Sequence, residues 1–293
     1  MTNLHKRALV LSGGGGRGAY HVGVYKYLEE QGVKPDIVVG TSIGAVNGAM
    51  IVSGMTAADL EREWRQLTTD QIHRLRLNPL EYLEKPSLLD TSPWLETLER
   101  QISFHKVRTS PITFRVAATD IQRGKVKIFH NEEITVRHIL ASCSIPVVYP
   151  WTEIDDVLYW DGAVVANTPL RPAIDEGADE IYVVLLAPPG ARELPAPDNL
   201  GNAAAHAFDL ALLASFEADQ KQLEKVNQRI VEGRARAEHH PVNLHVIAPS
   251  EPISAAWILT YNEKQADYLI KLGYEDARRL WGAVGKDEQG NPR

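Results

Sequence analysis

The sequence has one cysteine and no long hydrophobic run. The lone Cys143 cannot form a disulfide within the chain, which is typical of a protein from a reducing compartment. The longest apolar stretches, 45–52 and 181–187, are far shorter than the ~20 residues that cross a bilayer. The apolar run at 8–11 is too short for the core of a secretory signal. We therefore expect a cytoplasmic protein, with peripheral contact at a membrane surface still open.

The chain also lacks an excess of positive charge. Its 31 basic residues are outnumbered by 38 acidic ones, giving a net charge of −7, which argues against a nucleic-acid partner. No cluster of histidine, aspartate and glutamate has the spacing of metal ligands, so neither a metal nor another cofactor is expected. The 293 residues are enough for one large α/β domain or two smaller ones.

A serine lies in a glycine-flanked turn between a predicted strand and a predicted helix. Residues 40–44 read Gly-Thr-Ser-Ile-Gly, after a β-branched run and before a helix-forming run. In such a G-x-S-x-G turn, the flanking Gly40 and Gly44 relieve crowding and the hydroxyl of Ser42 projects from the sheet. This pattern predicts a nucleophile; the alternative is a structural turn with a capping serine.

A glycine tract forms a second turn of the same kind. Residues 13–18 read Gly-Gly-Gly-Gly-Arg-Gly and match the dinucleotide-binding fingerprint G-x-G-x-x-G. That fingerprint also requires an acidic residue at the end of the second strand, whereas Asp36 precedes this strand. Successive glycine amides at a helix N-terminus can instead bind the oxyanion of an acyl-transfer reaction.

Strand and helix signals alternate through the first half, which predicts a parallel sheet covered by helices. The segment 56–108 is helical and broken by prolines; it is either a cap over the site or a layer of helices on one sheet face. Beyond a proline-rich stretch after 187, the pattern predicts a long helix, a short strand and a final helix at 202–238, 243–247 and 263–281.

A serine nucleophile needs a proton acceptor. A conventional triad would use a histidine downstream of an aspartate, and the candidates are His206, His239, His240 and His245. None of them lies in a predicted loop at the end of a strand. Asp161 does, and Gly162 permits a sharp turn there. Burial would make such a carboxylate a stronger base, although a turn or helix-cap carboxylate is the alternative interpretation.

Four separated segments together resemble the patatin-like phospholipases. They are 13–18, 40–44, 141–146 and 161–169, and the resemblance covers roughly residues 6–187. It implies a three-layer α/β sandwich with a central, mostly parallel sheet, helices on both faces and a helical C-terminal extension. It also implies that Ser42 is the nucleophile and Asp161 its base, in a dyad without histidine.

The same resemblance assigns the remaining site residues. Those of the oxyanion hole are Gly13, Gly14, Gly15 and Gly16; those that support the motifs are Arg17, Gly18, Gly40, Gly44 and Gly162. Ser12 departs from the aspartate of some members, with little consequence expected. The implied organisation is a catalytic domain at 6–187 and a mainly helical region at 188–293 packed on it.

The implied activity is hydrolysis of a lipid acyl ester of the phospholipase A or lysophospholipase type. Its partners would be a lipid or phospholipid substrate and, transiently, a membrane surface. The segments 56–108 and 257–261 are the candidates for that contact, with ordinary core packing or an oligomer contact as the alternative. The alternative functions are an α/β-hydrolase-type esterase with a downstream histidine, a Rossmann-type nucleotide-binding protein, and a lipid-binding protein with a silent site.

Overall fold

The computed structural model describes residues 5–76, 86–189, 196, 200–234 and 240–284. The helices are Ala19–Glu30 (α1), Ile43–Val52 (α2), Ala57–Gln66 (α3), Ser92–Gln101 (α4), Phe104–Thr109 (α5), Val136–Ser142 (α6), Arg171–Asp175 (α7), Leu200–Val231 (α8) and Glu263–Val284 (α9). The strands are Arg7–Leu11 (β1), Ile37–Thr41 (β2), Arg74–Leu75 (β3), Leu89–Asp90 (β4), Thr113–Asp120 (β5), Lys125–His130 (β6), Thr152–Ile154 (β7), Val157–Asp161 (β8), Glu180–Val184 (β9) and Asn243–Ile247 (β10).

The central sheet is mainly parallel, as predicted. Its order is β10-β9-β1-β2-β5-β8-β7, and β6 pairs with β5 off this path. The strands β10, β9, β1, β2 and β5 run parallel, whereas β6, β7 and β8 are antiparallel to their neighbours. Every residue of β2 is buried, as expected for a strand covered on both faces.

Helices cover both faces of the sheet, which confirms the predicted three layers. Alternate residues of β1 point to opposite faces, so Leu9 and Leu11 join one apolar cluster and Ala8 and Val10 join the other. The first cluster includes residues of α1, α2 and α3. The second includes Phe216 of α8 and residues of α7.

The C-terminal region is built into this fold. The strand β10 has the bounds predicted from the sequence and extends the sheet beside β9. The helix α9 lies in backbone contact with α1, because a Cβ at Gly23 would be 1.9 Å from the Ile270 carbonyl oxygen and one at Gly273 would be 2.2 Å from that of Tyr20. The division at residue 187 stays a prediction.

The segment 56–108 contains α3, α4 and α5, and also a small antiparallel pair, β3 with β4, that was not predicted. Each of these strands is two residues long and none of their residues is buried, so no alternating pattern marks them. Trp64 and Trp94 are both buried, and Trp64 donates a hydrogen bond to Asn47 Oδ1 over 2.8 Å. One predicted break, Pro79, lies outside the described residues.

None of the helices in the described part of the chain has the length and hydropathy needed to cross a membrane.

Candidate active site

The sheet brings Ser42 and Asp161 together at the same edge of β5. Thr41, the last residue of β2, pairs with Ala117. Asp161, the last residue of β8, pairs with the next residue, Ala118. Along this edge of β5, β2 pairs as far as Ala117 and β8 pairs from Ala118 onward. The last residues of β2 and β8 therefore meet. Ser42 follows directly after β2 and therefore lies beside the carboxylate.

Ser42 has the backbone geometry of a nucleophile elbow. Its φ of 55° and ψ of −127° lie in a region that residues other than glycine rarely adopt. Its N–H donates to Ser142 Oγ over 2.8 Å, and that hydroxyl donates to the Ala117 carbonyl over 2.7 Å. The helix α2 begins at the next residue. Ser142 thus ties the elbow to β5.

The glycines of the serine motif are required by close backbone approach. A Cβ at Gly40 would lie 2.4 Å from the Gly44 carbonyl oxygen, and one at Gly44 would lie 2.1 Å from that of Leu11. At Gly162 the obstacle would be the Ala117 carbonyl oxygen, 2.4 Å away. Side chains at Gly40 and Gly44 would push α2 away from β2 and β1, and one at Gly162 would push the turn after β8 away from β5.

Asp161 is a buried carboxylate with a raised pKa. Its side chain is 2% exposed, and burial raises its pKa to about 7. Hydrogen bonds from the Ser42 hydroxyl and from the Ala163 N–H, the latter over 2.8 Å, act in the opposite direction but only in part. A carboxylate whose pKa lies near neutrality accepts a hydroxyl proton more readily than one at the ordinary value.

The glycine tract lies against the serine. A Cβ at Gly13 would be 3.1 Å from Ser42 Cβ. The Gly13 N–H donates to Asn167, over 3.0 Å to Oδ1 and 3.3 Å to the carbonyl, so this amide is not free for an oxyanion. Within the described part of the chain, no acceptor is found for the N–H groups of Gly14, Gly15 and Gly16, which open a short 3-10 helix. Of the four glycine amides predicted to form the oxyanion hole, three therefore stay available as donors, those of Gly14, Gly15 and Gly16.

The C-terminal region holds this tract in place, which the sequence did not reveal. The guanidinium of Arg17, 1% exposed, binds the Asp209 carboxylate of α8 over 2.6 and 3.2 Å, and its Nε donates to the Ser254 carbonyl. A Cβ at Gly15 would lie 2.0 Å from the Ile258 carbonyl oxygen. No short motif could have indicated contacts between residues about 200 positions apart.

A small cavity lies directly over Ser42. Its volume is about 10 Å³, roughly the space for one water molecule. Apart from Ser42 the lining is apolar or aromatic, and it comprises Gly15, Ile43, Ile72, Trp94, Cys143, Ile145, Tyr149, Ile258 and Tyr261. Burial raises the pKa of the Cys143 thiol, which keeps it protonated. Ile258 and Tyr261, in a segment considered for membrane contact, are buried in this wall.

The downstream histidines are not part of this arrangement. Among the described residues that line the cavity there is no histidine. His245 lies within β10 and stacks on Tyr182 with ring centroids 4.9 Å apart. His206 is on α8, and His240 borders a groove with residues of α7 and α8. The fourth candidate, His239, falls outside the described residues.

The structure weakens the nucleotide interpretation of the glycine tract. In a dinucleotide-binding loop, glycine lets the pyrophosphate approach the backbone closely. Here the space beside Gly16 is filled by the protein's own backbone, since a Cβ at Gly16 would lie 2.1 Å from the Thr260 carbonyl oxygen. Asp36 accepts a hydrogen bond from the Arg7 N–H at the opposite end of the strands.

Among the described residues, no group of three histidine, cysteine or acidic side chains could hold a metal ion.

This fold and site define an α/β protein with a serine elbow beside a buried carboxylate. A family model described as Patatin-like phospholipase matches residues 9–174, more than half of the chain. The chain therefore belongs to the patatin-like phospholipase family.

Relatives from distant organisms align with about three fifths of the chain. Human Patatin-like phospholipase domain-containing protein 6 is 30% identical over 184 residues, 60% of this chain and 13% of that protein. An uncharacterized NTE family protein of Mycobacterium tuberculosis is 31% identical over 192 residues, 65% of this chain and 51% of that protein. Lysophospholipase nte1 of Emericella nidulans is 28% identical over 180 residues, which are 60% of this chain and 12% of that protein. The chain thus matches between about an eighth and a half of the length of these relatives.

Proposed function

We propose that this protein hydrolyses carboxylic esters of lipids through an acyl-enzyme on Ser42, with Asp161 as the base. The observation that carries the proposal is the position of a strained serine elbow beside a buried carboxylate whose pKa is raised to about 7. The adjacent free amides and the apolar cavity supply the two other requirements, stabilisation of an oxyanion and a place for an acyl chain.

In the first step, the Ser42 hydroxyl proton passes to the Asp161 carboxylate while Oγ bonds to the ester carbonyl carbon. The carbonyl π electrons move to its oxygen, and the resulting oxyanion accepts hydrogen bonds from amides of Gly14, Gly15 and Gly16. When the carbonyl re-forms, the bond to the alcohol oxygen breaks and that oxygen takes the proton from Asp161. The products are the acyl-enzyme and the free alcohol.

In the second step, water attacks the acyl carbon and gives one proton to Asp161. The tetrahedral intermediate is held by the same amides. Its collapse breaks the bond to Ser42 Oγ, which recovers the proton from Asp161, and the fatty acid leaves. All atoms and charges are accounted for with one nucleophile and one base, and both steps use the same geometry.

The proposed substrate is a phospholipid or lysophospholipid. Family membership and the similarity to a protein named lysophospholipase support this class. The apolar cavity wall suits an acyl chain, but a volume of about 10 Å³ requires the wall to move before a chain can enter. We expect the loop that carries Ile145 and Tyr149 to take part, because both side chains line the cavity.

Transient membrane contact is proposed for the outer side of the same loop. Leu75, Leu88 and Val147 are exposed aliphatic side chains. The Leu88 N–H donates to the Val147 carbonyl over 2.9 Å, which places these two beside each other. Because Val147 is two residues from Tyr149, contact with lipid acyl chains at this surface would act directly on the wall of the cavity.

The test is reaction with a fluorophosphonate probe followed by peptide mapping, with hydrolysis of p-nitrophenyl esters of increasing chain length. Labelling of Ser42 is expected, and Ser42→Ala should lose labelling and at least about 10⁴-fold in kcat. The control is Ser53→Ala, at a buried serine that directly follows α2. It should keep both labelling and kcat. Labelling at any other residue would overturn the proposal.

The histidine-dependent esterase is tested in parallel. Asp161→Asn should lose activity about as severely as Ser42→Ala, because the amide cannot accept the proton. His→Ala variants at His206, His239, His240 and His245 should retain activity. If one of them were inactive and Asp161→Asn active, the base would be that histidine. Tight binding of NADH or ATP without serine labelling would instead favour a nucleotide-binding protein.

A further inference from the structure

Gln265, in the first turn of α9, is buried beneath the glycine tract. Its side chain is 4% exposed. The two N–H groups of Nε2 point at three backbone carbonyls, that of Thr260 over 2.8 Å, Gly16 over 3.1 Å and Trp257 over 3.3 Å, so one N–H is shared between two of them. Its Oε1 accepts from Thr260 Oγ1 over 3.0 Å. One side chain therefore joins the glycine tract to the two ends of the 257–260 turn.

These contacts fix the backbone next to the proposed oxyanion donors. Three carbonyl oxygens converge on one NH₂ group, and without that donor their partial negative charges would face each other in a buried space. The Gly16 carbonyl belongs to the peptide that joins Gly16 to Arg17. Arg17 is itself held by Asp209 and Ser254, so both sides of this peptide are anchored by residues beyond the family match.

We propose that Gln265 is a positioning residue, which sets the direction of the Gly14–Gly16 amides toward the oxyanion by holding the Gly16 carbonyl. The inference rests on the proposed oxyanion role of these amides. A displacement of about 1 Å in such a donor set can reduce turnover about a hundredfold, because the donors must meet the charge where it develops. Gln265 does not line the cavity, and the side-chain hydrogen bonds described above do not include one to Ser42.

The test uses Gln265→Met, which keeps the length of the side chain but cannot donate, and Gln265→Glu, which presents carboxylate oxygens to the three carbonyls. Active sites are first counted by complete reaction with the fluorophosphonate. The kcat and KM for p-nitrophenyl butyrate are then measured per labelled site. We expect kcat per site to fall about tenfold or more in Gln265→Met and further in Gln265→Glu, with KM within about twofold of wild type.

The matched control is Tyr274→Phe on the same helix. It removes a hydrogen bond to Glu30, 2.7 Å long, far along α9 from the tract, and should leave kcat per site unchanged. A lower labelled fraction with normal kcat per site in Gln265→Met would show a purely structural role and overturn the proposal. So would an unchanged enzyme.

If Gln265→Met does not fold, Thr260→Val gives the same readout, because it removes the hydroxyl that orients the Gln265 amide. We expect its kcat per site to fall about threefold or more, and an unchanged value would overturn the inference. Failure of the proposed function is separate: it would appear in the wild type, as absence of labelling at Ser42.

Discussion

The serine elbow and the glycine tract lie side by side, but different parts of the chain hold them. The elbow is tied to Ser142 and to β5, both inside the segment 9–174 that defines the family. The tract is held at Gly13 by Asn167, inside that segment, and further along by Asp209, Ser254 and Gln265, which lie outside it. The proposed nucleophile is thus supported by the family core, whereas the proposed oxyanion donors depend also on the C-terminal region.

The reason for this difference lies in what each turn needs to hold its conformation. A serine elbow needs a sheet edge and two glycines, which the core supplies. A row of glycines has no side chains of its own to hold it, so neighbouring backbone and side chains must fix its conformation. The following predictions test whether the two turns depend on separate regions, from the largest expected effect to the smallest.

The largest effect is expected from Gly15→Ala. Gly15 has a φ of +58°, and a Cβ would lie 2.0 Å from the Ile258 carbonyl oxygen. Because backbone must shift to relieve that contact, we expect the tract to be displaced and kcat to fall about a hundredfold or more. The measurement is kcat per fluorophosphonate-labelled site.

The control for this variant is Gly124→Ala. Gly124 has a φ of +61°, and a Cβ there would meet nothing within 4 Å. Both alanines therefore carry the same left-handed strain of about 1 kcal/mol, but only one meets the C-terminal region. Gly124→Ala should keep full activity. Equal activity losses in the two variants would contradict the role of the contact with Ile258.

The second prediction concerns the ion pair between Arg17 and Asp209. Asp209→Asn leaves the buried guanidinium without its counter-charge, and we expect a loss of about 2 kcal/mol in the free energy of unfolding, measured with urea. Asp209 is partly exposed, so the full cost of a completely buried pair is not expected. The control, Asp175→Asn in the exposed Arg171–Asp175 pair, should cost about 0.5 kcal/mol or less. Equal losses would mean that the tract is not anchored by this pair.

The third prediction tests the support of the elbow. Ser142→Ala removes the acceptor of the Ser42 N–H and a donor to the Ala117 carbonyl, leaving buried polar groups unpaired. We expect a loss of about 1–2 kcal/mol in unfolding free energy and about tenfold in kcat. Ser53→Ala removes one local hydrogen bond to Met50 and should leave kcat unchanged. A normal kcat in Ser142→Ala would show that the elbow holds its strained conformation without this bond.

The smallest effect is the pH dependence of turnover. Because Asp161 must be ionised to accept a proton and burial raises its pKa to about 7, kcat/KM should rise about twofold between pH 7 and pH 8. Cys143, Tyr149 and Tyr261 interact with Asp161, but burial raises the pKa of each, so they stay uncharged in this range. A profile that is flat from pH 6 to 8 would contradict the role of this carboxylate.

The raised pKa of Asp161 also predicts how the stability of the folded protein depends on pH. The folded-state pKa of Asp161 lies above its ordinary value of 3.8, so the folded protein binds this proton more tightly than the unfolded chain. Its contribution to stability is present below about pH 4 and is lost as the pH rises to about 7. Asp161→Asn, which cannot ionise, should therefore melt at a higher temperature than wild type at pH 8, with a smaller difference at pH 5.

Much of the fold could be predicted from local patterns. Buried β-branched runs predicted the parallel strands, and the strand at 243–247 was predicted with its observed bounds. The hairpin of β7 and β8 turns at Asp155 and Asp156, whose φ values of 49° and 60° are those of a tight turn. The pair β3 with β4 was missed, because two-residue exposed strands leave no periodic signal.

The sequence by itself determined which residues could carry the chemistry. Ser42, Asp161 and the glycine tract belong to short motifs, because an elbow, a strand-end carboxylate and a row of free amides each need particular residue types within a few positions. Their assigned roles stay predictions until the variants are measured.

Only the tertiary structure decided what surrounds those residues. It engaged the Gly13 amide with Asn167, enclosed Asp161 so that its pKa rises, and packed residues 257–265 against the glycine tract. Burial and hydrogen bonding between distant segments, such as Gly16 and Gln265 at 249 positions apart, depend on how the whole chain packs. Local patterns carry no record of such contacts, because any side chain of suitable shape and polarity could have made them.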